Sequence, residues 1–398
     1  MKPLSYFDQR HRSNIYTDNF HMRYYIIAGE ASGDLHGSNL IRALHASDAD
    51  ADIRCWGGDM MQSAGATLVK HYRDLAFMGF AEVLMNLRTI LRNLDFCKKD
   101  ILSFQPDALI LIDYPGFNLR IAEWAHGEGL KVIFYISPQV WAWKENRVKK
   151  IKASVDKMLV ILPFEEAFYR KWDYGVEYVG HPLVEVVKKE LEKPQPPPLS
   201  DKPVVALLPG SRKQEIEKKL PVMLQMTKHF PDHAFVIAQA PSLEDDFLQP
   251  FLENAGNVSC VKGRTYQLLR QAKAACVTSG TATLETALFG VPEVVCYKGN
   301  PVSYFLAKKL VKIRYISLVN LIMDREVVKE LIQDDLNEEN LRRQLSLILY
   351  DRAYIEKMKD AYQSLWHLLG EGDASRRAAD AILHFLNEAN AGSAARAK

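Results

Sequence analysis

Two glycine-containing loops in the second half of the chain have residues suited to phosphate chemistry. They are the segments 209–212, Pro-Gly-Ser-Arg, and 279–285, Ser-Gly-Thr-Ala-Thr-Leu-Glu. Each follows an apolar run that predicts a strand, and each precedes a helical pattern. This placement puts exposed main-chain N–H groups and the positive end of a helix dipole at one sheet edge, where phosphate binds. The two loops therefore predict a nucleotide-bearing ligand.

The side chains of these loops extend that prediction. Arg212 suits bidentate contact with phosphate and cannot lose its charge. Glu285 lies one turn into the following helix, where its carboxylate could accept hydrogen bonds from both hydroxyls of a ribose or simply favour the helix N-terminus. The predicted nucleotide-binding residues of the two loops are Gly210, Ser211, Arg212, Ser279, Gly280, Thr281 and Glu285.

An aspartate in the first half is the candidate general base. Asp113 follows the apolar run 108–112, so it is expected at the carboxyl end of a central parallel strand. A carboxylate there can take a proton from an acceptor hydroxyl as the hydroxyl attacks. The alternative is that Asp113 only caps the turn before Asn118, although Asn118 could do the capping instead. We favour the catalytic interpretation.

A second glycine-containing turn lies at 29–37, after the apolar run 24–28. Glycine allows close backbone approach there, and Ser32 or Asp34 can cap the following helix. Taken alone, this pattern fits an ordinary strand-to-helix turn equally well. Further on, Trp141, Trp143 and a run of lysines suit either an anionic, apolar ligand or a core with a solvated basic face.

The segment 80–94 predicts an amphipathic helix, with Arg88 and Arg92 on the flank of its apolar face. Such a stripe suits a membrane interface, but a helix packed on its own sheet has the same periodicity, so both interpretations stay open. The residues on this face are Phe80, Val83, Leu84, Leu87, Leu91 and Leu94.

The elements that position these residues alternate between strand and helix from about residue 24, which predicts two parallel α/β sheets. Two such domains would place their strand carboxyl ends toward a shared cleft. The proline-rich stretch 194–203 predicts an interdomain linker. We therefore expect an extension over 1–21, domains over 22–193 and 204–350, and C-terminal helices over 351–390. Residues 1–21 are expected to be disordered, and Met22 is an alternative start.

Composition narrows the class of protein. The 398 residues are 48% hydrophobic and 25% charged with a net charge of +2, so no strong field indicates nucleic acid. The five cysteines form no C-x-x-C pair, which indicates neither a disulfide framework nor a zinc site and fits a reducing cytoplasm. No apolar run reaches the roughly 18 residues that span a bilayer. We predict no metal, because the alternating aspartates at 48–52 join a helix to a strand at the far sheet edge and no other cluster of His, Cys or carboxylates has metal-ligand spacing. We predict no cofactor either.

At these residues the chain closely resembles the lipid-A-disaccharide synthase family, inverting glycosyltransferases of the GT-B fold. The resemblance runs from about Met22 into the C-terminal helices. The matching segments are 28–34, 112–115, 137–143, 162–165, 180–182, 208–212, 279–285, 317–321 and 325–331. One departure is Gly116, where some family members have a second aspartate, so Asp113 is the only carboxylate of its loop.

The resemblance implies a GT-B fold of two Rossmann-like domains facing a central cleft, with C-terminal helices packing back toward the N-terminal domain. It implies transfer from UDP-2,3-diacylglucosamine to 2,3-diacylglucosamine 1-phosphate in lipid A biosynthesis. Asp113 and Arg212 would be catalytic, and Asn320 would help to position the nucleotide. The acceptor-binding residues would be Glu30, Ser32, Gly33 and Asp34.

The resemblance also implies a peripheral protein at the inner face of the inner membrane, which would use the face at 80–94, and a homodimer formed through the C-terminal helices. Two alternatives from related architectures stay open. They are a UDP-N-acetylglucosamine 2-epimerase and the N-acetylglucosamine transferase of peptidoglycan synthesis. A non-catalytic nucleotide-sugar binder is a third alternative, against which Asp113 and Arg212 argue.

Overall fold

The structure is a computed structural model that describes residues 21–75, 87–252, 256–300 and 313–396. These residues form two sheets, one with seven strands in the order β3-β2-β1-β4-β5-β6-β7 and one with six in the order β10-β9-β8-β11-β12-β13. The strands are β1 Arg23–Ala28, β2 Asp52–Gly57, β3 Thr67–His71, β4 Ala108–Ile112, β5 Val132–Tyr135, β6 Lys157–Val160, β7 Glu177–Tyr178, β8 Val204–Leu208, β9 Ala234–Gln239, β10 Val258–Lys262, β11 Ala272–Thr278, β12 Glu293–Tyr297 and β13 Lys329–Ile332.

Helices alternate with the strands along both halves of the chain. The α-helices are α1 Ala31–Ser47, α2 Asp59–Ser63, α3 Leu87–Phe104, α4 Pro115–Gly127, α5 Val140–Trp143, α6 Val148–Ser154, α7 Glu165–Arg170, α8 Pro182–Leu191, α9 Lys213–His229, α10 Gln249–Leu252, α11 Thr265–Leu269, α12 Thr281–Leu288, α13 Leu318–Met323, α14 Glu338–Tyr350, α15 Arg352–Leu369 and α16 Ala374–Arg396. Short 3-10 helices occupy Tyr72–Leu75, Glu145–Arg147 and Gln333–Asp335.

The central strands form because they are continuous apolar runs that can be buried on both faces. Every residue of β4 and of β8 is buried. In the first sheet β1 pairs in parallel with β2 and β4. In the second sheet β8 pairs in parallel with β9 and β11. The strands predicted at 24–28, at 108–112 and before the two glycine loops are confirmed as β1, β4, β8 and β11, and so is the α/β class.

Three strands that the sequence did not predict lie at sheet edges. They are β3, β7 and β13, and each lacks a run of fully buried residues. Because such edge strands lack apolar periodicity, their sequences do not predict them.

The described residues divide into two compact units. One contains the described residues up to Tyr135, Ser154–Lys157 and those from Ala378 onward, and the other contains Ile136–Ala153 and Met158–Arg377. The boundaries 22–193, 194–203, 204–350 and 351–390 stay predictions. The C-terminal helical stretch is broken at Gly370 and Gly372, between α15 and α16.

Candidate functional site

The turn after β4 holds Asp113 in a strained backbone conformation. Asp113 and Tyr114 are consecutive left-handed residues, with φ of 44° and 50°. Such non-glycine residues cost about 1–3 kcal/mol each and persist where the surroundings enforce them. Packing against Gly29 is one such constraint, because a Cβ on Gly29 would lie 2.3 Å from Cγ of the Tyr114 ring. Only glycine lets that ring lie against the turn after β1.

Asn118 is the second constraint on this turn. Its Nδ2 donates to the main-chain oxygens of Ile27 at 3.4 Å, Ile112 at 3.2 Å and Asp113 at 2.8 Å. The side chain therefore ties the ends of β1 and β4 to the start of α4, and the suggestion that it caps the helix is wrong. Asp113 does not cap α4 either, since the N-cap residue is Tyr114 and the helix has no side-chain cap.

The environment of Asp113 favours a basic carboxylate. Burial and, to a smaller extent, the negative charge of Glu30 raise its pKa from 3.8 to about 6, against the Tyr114 main-chain N–H, which lowers it. Glu30 lies at the N-cap of α1 and its side chain caps nothing. The register Ala28↔Ile112 brings these two turns to the same edge of the sheet.

The predicted acceptor-binding residues separate into two groups. Glu30 and Ser32 are exposed, and Gly33 is buried where a Cβ would lie 3.0 Å from Cβ of Ala28. Asp34 is buried, and its carboxylate accepts hydrogen bonds from the main-chain N–H groups of Gly58, Met60 and Met61 at 2.8–3.2 Å. This carboxylate therefore caps α2, and its contact with an acceptor stays a prediction.

In the second sheet, the loop after β8 presents Ser211 and Arg212 to solvent. Gly210 has φ of 113°, a conformation that favours glycine. Arg212 is the N-cap residue of α9 without a side-chain cap bond. Its Nη1 lies 3.2 Å from Oε1 of Glu215, and the Arg212 side chain is 61% exposed. A free guanidinium edge thus stands at the positive end of a 17-residue helix.

The loop after β11 lies directly beside this one. A Cβ on Gly210 would lie 3.4 Å from the methyl group of Thr278. Gly280, with φ of 142°, is the N-cap residue of α12, and its carbonyl accepts from Thr283 Oγ1 at 2.8 Å. Ser279 Oγ donates to the Ile316 carbonyl at 2.8 Å. The structure therefore brings the two predicted loops together, with Thr281 exposed between them and solvent.

Glu285 has a partner that the sequence did not reveal. The hydroxyl of Tyr266 donates to Glu285 Oε1 at 2.8 Å. Burial raises the pKa of Glu285, and the Tyr266 hydrogen bond lowers it. No acidic residue lies in the first turn of α12, so Glu285 is not placed to interact with the helix N-terminus. One carboxylate oxygen is left to accept from a ligand.

Asn320 is fully buried and uses its side chain internally. Oδ1 accepts from the N–H groups of Val327 and Val328, and Nδ2 donates to the Val328 carbonyl and to Glu330. Direct contact of this side chain with a nucleotide is therefore not supported. Glu330 also accepts from the N–H groups of Ile316 and Ser317 at 2.9–3.1 Å. Together they fix the segment that receives the Ser279 hydroxyl.

The predicted membrane face is only partly described. Phe80, Val83 and Leu84 lie outside the described residues, as does the side chain of Leu87. The helix α3 begins at Leu87, and Leu91 is 54% exposed. Leu94, which periodicity put on the same face, is buried. It belongs to the side of α3 that packs in its own unit.

The segment 137–147 has a buried part and an exposed part. Trp141 is buried and packs edge-on against Phe164, at 4.9 Å between ring centroids. Trp143 is 51% exposed, with Lys144 Nζ at 4.1 Å from its ring centroid. The core interpretation is thus confirmed for Trp141, and ligand binding by the exposed Trp143 stays a prediction.

Glu165, at the start of α7, is a buried acid that the sequence did not single out. Its Oε2 accepts from the N–H groups of Ile161 at 3.3 Å and Leu162 at 2.9 Å. Burial raises its pKa to about 7. No composition signal marks such a residue, because its hydrogen bonds close a turn of the same segment.

The described residues contain neither a metal-binding cluster nor a membrane-spanning helix. Within residues 21–75, 87–252, 256–300 and 313–396, no group of three or more His, Cys, Asp or Glu side chains could hold a metal ion. In the same ranges no helix is both long and apolar enough to span a membrane.

Known proteins match this chain over most of its length. The lipid-A-disaccharide synthetase family matches residues 24–384. A lipid-A-disaccharide synthase of Trichlorobacter lovleyi is 39% identical over 375 residues, covering 92% of this chain and 98% of that protein. One from Coxiella burnetii (strain CbuG_Q212) is 36% identical over 372 residues, covering 91% and 98%.

Solved structures agree in fold. A UDP-GlcNAc 2-epimerase from Neisseria meningitidis bound to UDP-GlcNAc has a TM-score of 0.65 at 14% identity, covering 91% of this chain and 100% of that chain. The glycotransferase of kitacinnamycin has a TM-score of 0.65 at 15% identity, covering 92% and 99%. At such identities the likeness shows the fold alone, which confirms the GT-B class. From the sequence matches, the chain belongs to the lipid-A-disaccharide synthase family of glycosyltransferases.

Proposed function

We propose that this protein transfers the sugar of UDP-2,3-diacylglucosamine to the 6-hydroxyl of 2,3-diacylglucosamine 1-phosphate. The products are lipid A disaccharide 1-phosphate and UDP. The single observation that carries this proposal is the match to the lipid-A-disaccharide synthetase family over residues 24–384. Direct displacement at the anomeric carbon inverts its configuration and needs a base for the acceptor and a stabilised leaving group.

The base in this proposal is Asp113. Its carboxylate caps no helix, and its pKa of about 6 keeps it ionised at neutral pH while making it more basic than an ordinary aspartate. A general base is most effective when its pKa lies near the working pH. Glu30, Ser32 and Gly33 are the proposed acceptor-binding residues beside it.

The donor in this proposal is held by the loops of the second sheet. Arg212 and the N–H groups near Gly280 and Thr281 would stabilise the diphosphate as negative charge develops on it. Glu285 would accept from the ribose hydroxyls. The hydrogen bond from Tyr266 supports this role, because it orients the Glu285 carboxylate and leaves the second carboxylate oxygen to accept from the ribose.

The decisive experiment supplies both acylated substrates and follows UDP release together with disaccharide formation. We expect the two products in equal amounts and neither one when the acceptor is omitted. Asp113→Asn should lower turnover far more than UDP binding, and Arg212→Ala should weaken both. Conversion of UDP-N-acetylglucosamine in the absence of any acceptor would instead indicate an epimerase.

We also propose peripheral association with the inner face of the inner membrane through the start of α3. In its support, Leu91 is exposed and is flanked by the exposed Arg88 and Arg92. Apolar and basic side chains together suit an anionic lipid surface. Leu91→Glu should reduce co-sedimentation with anionic phospholipid vesicles, whereas Leu191→Glu, at a similarly exposed leucine of α8, should not. Equal loss in both variants would contradict the assignment to α3.

A homodimer through the C-terminal helices α15 and α16 completes the proposal. Its basis is the family resemblance. Light scattering after size exclusion should give twice the mass of 45.3 kDa, and removal of α16 should abolish the dimer. A monomeric full-length protein would contradict it.

A further inference from the structure

A lysine of α9 lies where the helix pattern calls for an apolar residue. Lys219 falls on the face formed by Ile216, Leu220 and Met223, all of which are buried. Its side chain is only 2% exposed. Burying an unpaired ammonium group costs free energy, so Lys219 needs polar partners, and those partners indicate its role.

Those contacts lie at the base of the two glycine loops. The Nζ atom of Lys219 donates to Thr278 Oγ1, at the end of β11, and lies 3.2 Å from Glu215 Oε2. A Cβ on Gly210 would lie 3.7 Å from the same nitrogen. The ammonium group of Lys219 therefore lies beneath the turn that follows β8. It is hydrogen-bonded to Thr278, the residue that precedes the neighbouring loop.

Glu215 is shared between two cations. Its Oε2 faces Lys219 and its Oε1 faces Nη1 of Arg212, with 3.2 Å in each pair. The three side chains together have a net charge of +1. Without Lys219, the full charge of the carboxylate would be available to neutralise the Arg212 guanidinium.

We propose that Lys219 is a positioning residue for the diphosphate of the donor, which holds the Glu215 carboxylate so that Arg212 keeps its positive charge for the ligand. This inference rests on the proposed function, in which the two loops hold UDP. Lys219 itself stays beneath the loops and acts through Glu215 and Thr278. Burial lowers the pKa of Lys219 and Glu215 raises it, so pairing with Glu215 is what retains the charge.

The test compares the binding of UDP with that of uridine, which lacks the diphosphate, by titration calorimetry. In Lys219→Met we expect the Kd for UDP to rise about tenfold and the Kd for uridine to stay within about twofold. A purely structural role would weaken both ligands. Lys218→Met removes a lysine charge from an exposed neighbouring position of the same helix and should change neither.

A double variant tests the dependence on Glu215. If Lys219 acts by restraining that carboxylate, Lys219→Met combined with Glu215→Gln should recover most of the lost UDP affinity, since nothing then neutralises Arg212. If Lys219→Met does not fold, as judged by circular dichroism, Lys219→Gln takes its place, because it can keep a hydrogen bond to Thr278 without the charge. The same results are expected from it.

The outcomes separate the two proposals. Binding of UDP to the wild type with an unchanged Kd in the Lys219 variants overturns the role of Lys219 alone. Equal weakening of UDP and uridine, or no recovery in the double variant, also overturns that role. Absence of UDP binding to the wild type overturns the proposed function and, with it, this inference.

Discussion

Replacing Asp113 by asparagine removes the proposed base while keeping the size of the side chain. A positioned general base contributes roughly 10²–10⁴-fold to a rate, so we expect turnover to fall by that factor. Because the carboxylate is assigned to the acceptor side, the Kd for UDP should stay within about twofold. Asp95→Asn removes a carboxylate from an exposed pair with Lys99 and should leave turnover unchanged.

The pH dependence of the wild-type rate is a second test of Asp113 as the base. Only the ionised carboxylate accepts a proton, and its pKa is raised from 3.8 to about 6. That shift corresponds to about 3 kcal/mol of destabilisation of the ionised form. Activity should therefore be level above pH 7 and fall about tenfold per pH unit well below pH 6. Initial rates of UDP release between pH 5 and 8 measure this limb.

The neighbouring Glu30 offers a check that leaves Asp113 in place. Its negative charge is the second cause of the raised pKa, after burial. Glu30→Gln should therefore move the acidic limb to lower pH, without bringing it to the position of a solvated aspartate, because burial persists. The assignment fails if Asp113→Asn keeps near-normal turnover, or if it retains the same acidic limb at a lower rate.

Three further predictions concern packing, burial and ribose binding. Gly29→Ala should lower the free energy of unfolding by about 1–3 kcal/mol, because its Cβ would lie 2.3 Å from the Tyr114 ring. Gly116→Ala should not destabilise the protein, because a Cβ there would meet nothing within 4 Å. Equal melting temperatures of the two variants would contradict this prediction. For Glu165 the folded-state pKa of about 7 exceeds 4.5, so stability is lost as the pH rises through 7. Glu165→Gln should therefore add up to about 3 kcal/mol at pH 8 and less toward pH 5, whereas a gain independent of pH would contradict burial as its cause. Tyr266→Phe should weaken uridine and UDP binding alike by several-fold, and calorimetry showing loss for UDP only would remove Glu285 from the ribose.

Much of the fold could be predicted because the central strands are apolar runs that end in turn residues. β4 and β8 are buried throughout, so their sequences need no polar alternation. The edge strands were not predicted for the opposite reason. β3 has one exposed residue and four half-buried ones, and its sequence contains no periodic signal.

The roles of polar residues within correctly located loops were harder to predict. Asp34 and Glu30 come from one turn, yet Asp34 caps a helix that begins at Asp59, and its three hydrogen bonds span 24 to 27 residues. The side-chain amide of Asn320 likewise forms its hydrogen bonds with residues 7 to 10 positions away. A sequence shows which side chains can bind a ligand, but their use by the protein itself depends on tertiary contacts. Lys219 differs from these residues, because the sequence itself places a charged residue on the apolar face of α9.

Backbone strain distinguishes Asp113 from the other acids of these loops. A carboxylate needed only for capping would not require two consecutive left-handed residues, because ordinary caps adopt extended backbone. Here the strain of Asp113 and Tyr114 is sustained by a glycine that admits the Tyr114 ring and by Asn118, which binds the carbonyl of Asp113 itself. Strain that several other groups maintain is typical of sites where a side chain must be held in a set direction. Gly29 and Asn118 therefore hold the backbone from which the Asp113 side chain projects, as the proposed role of general base would require.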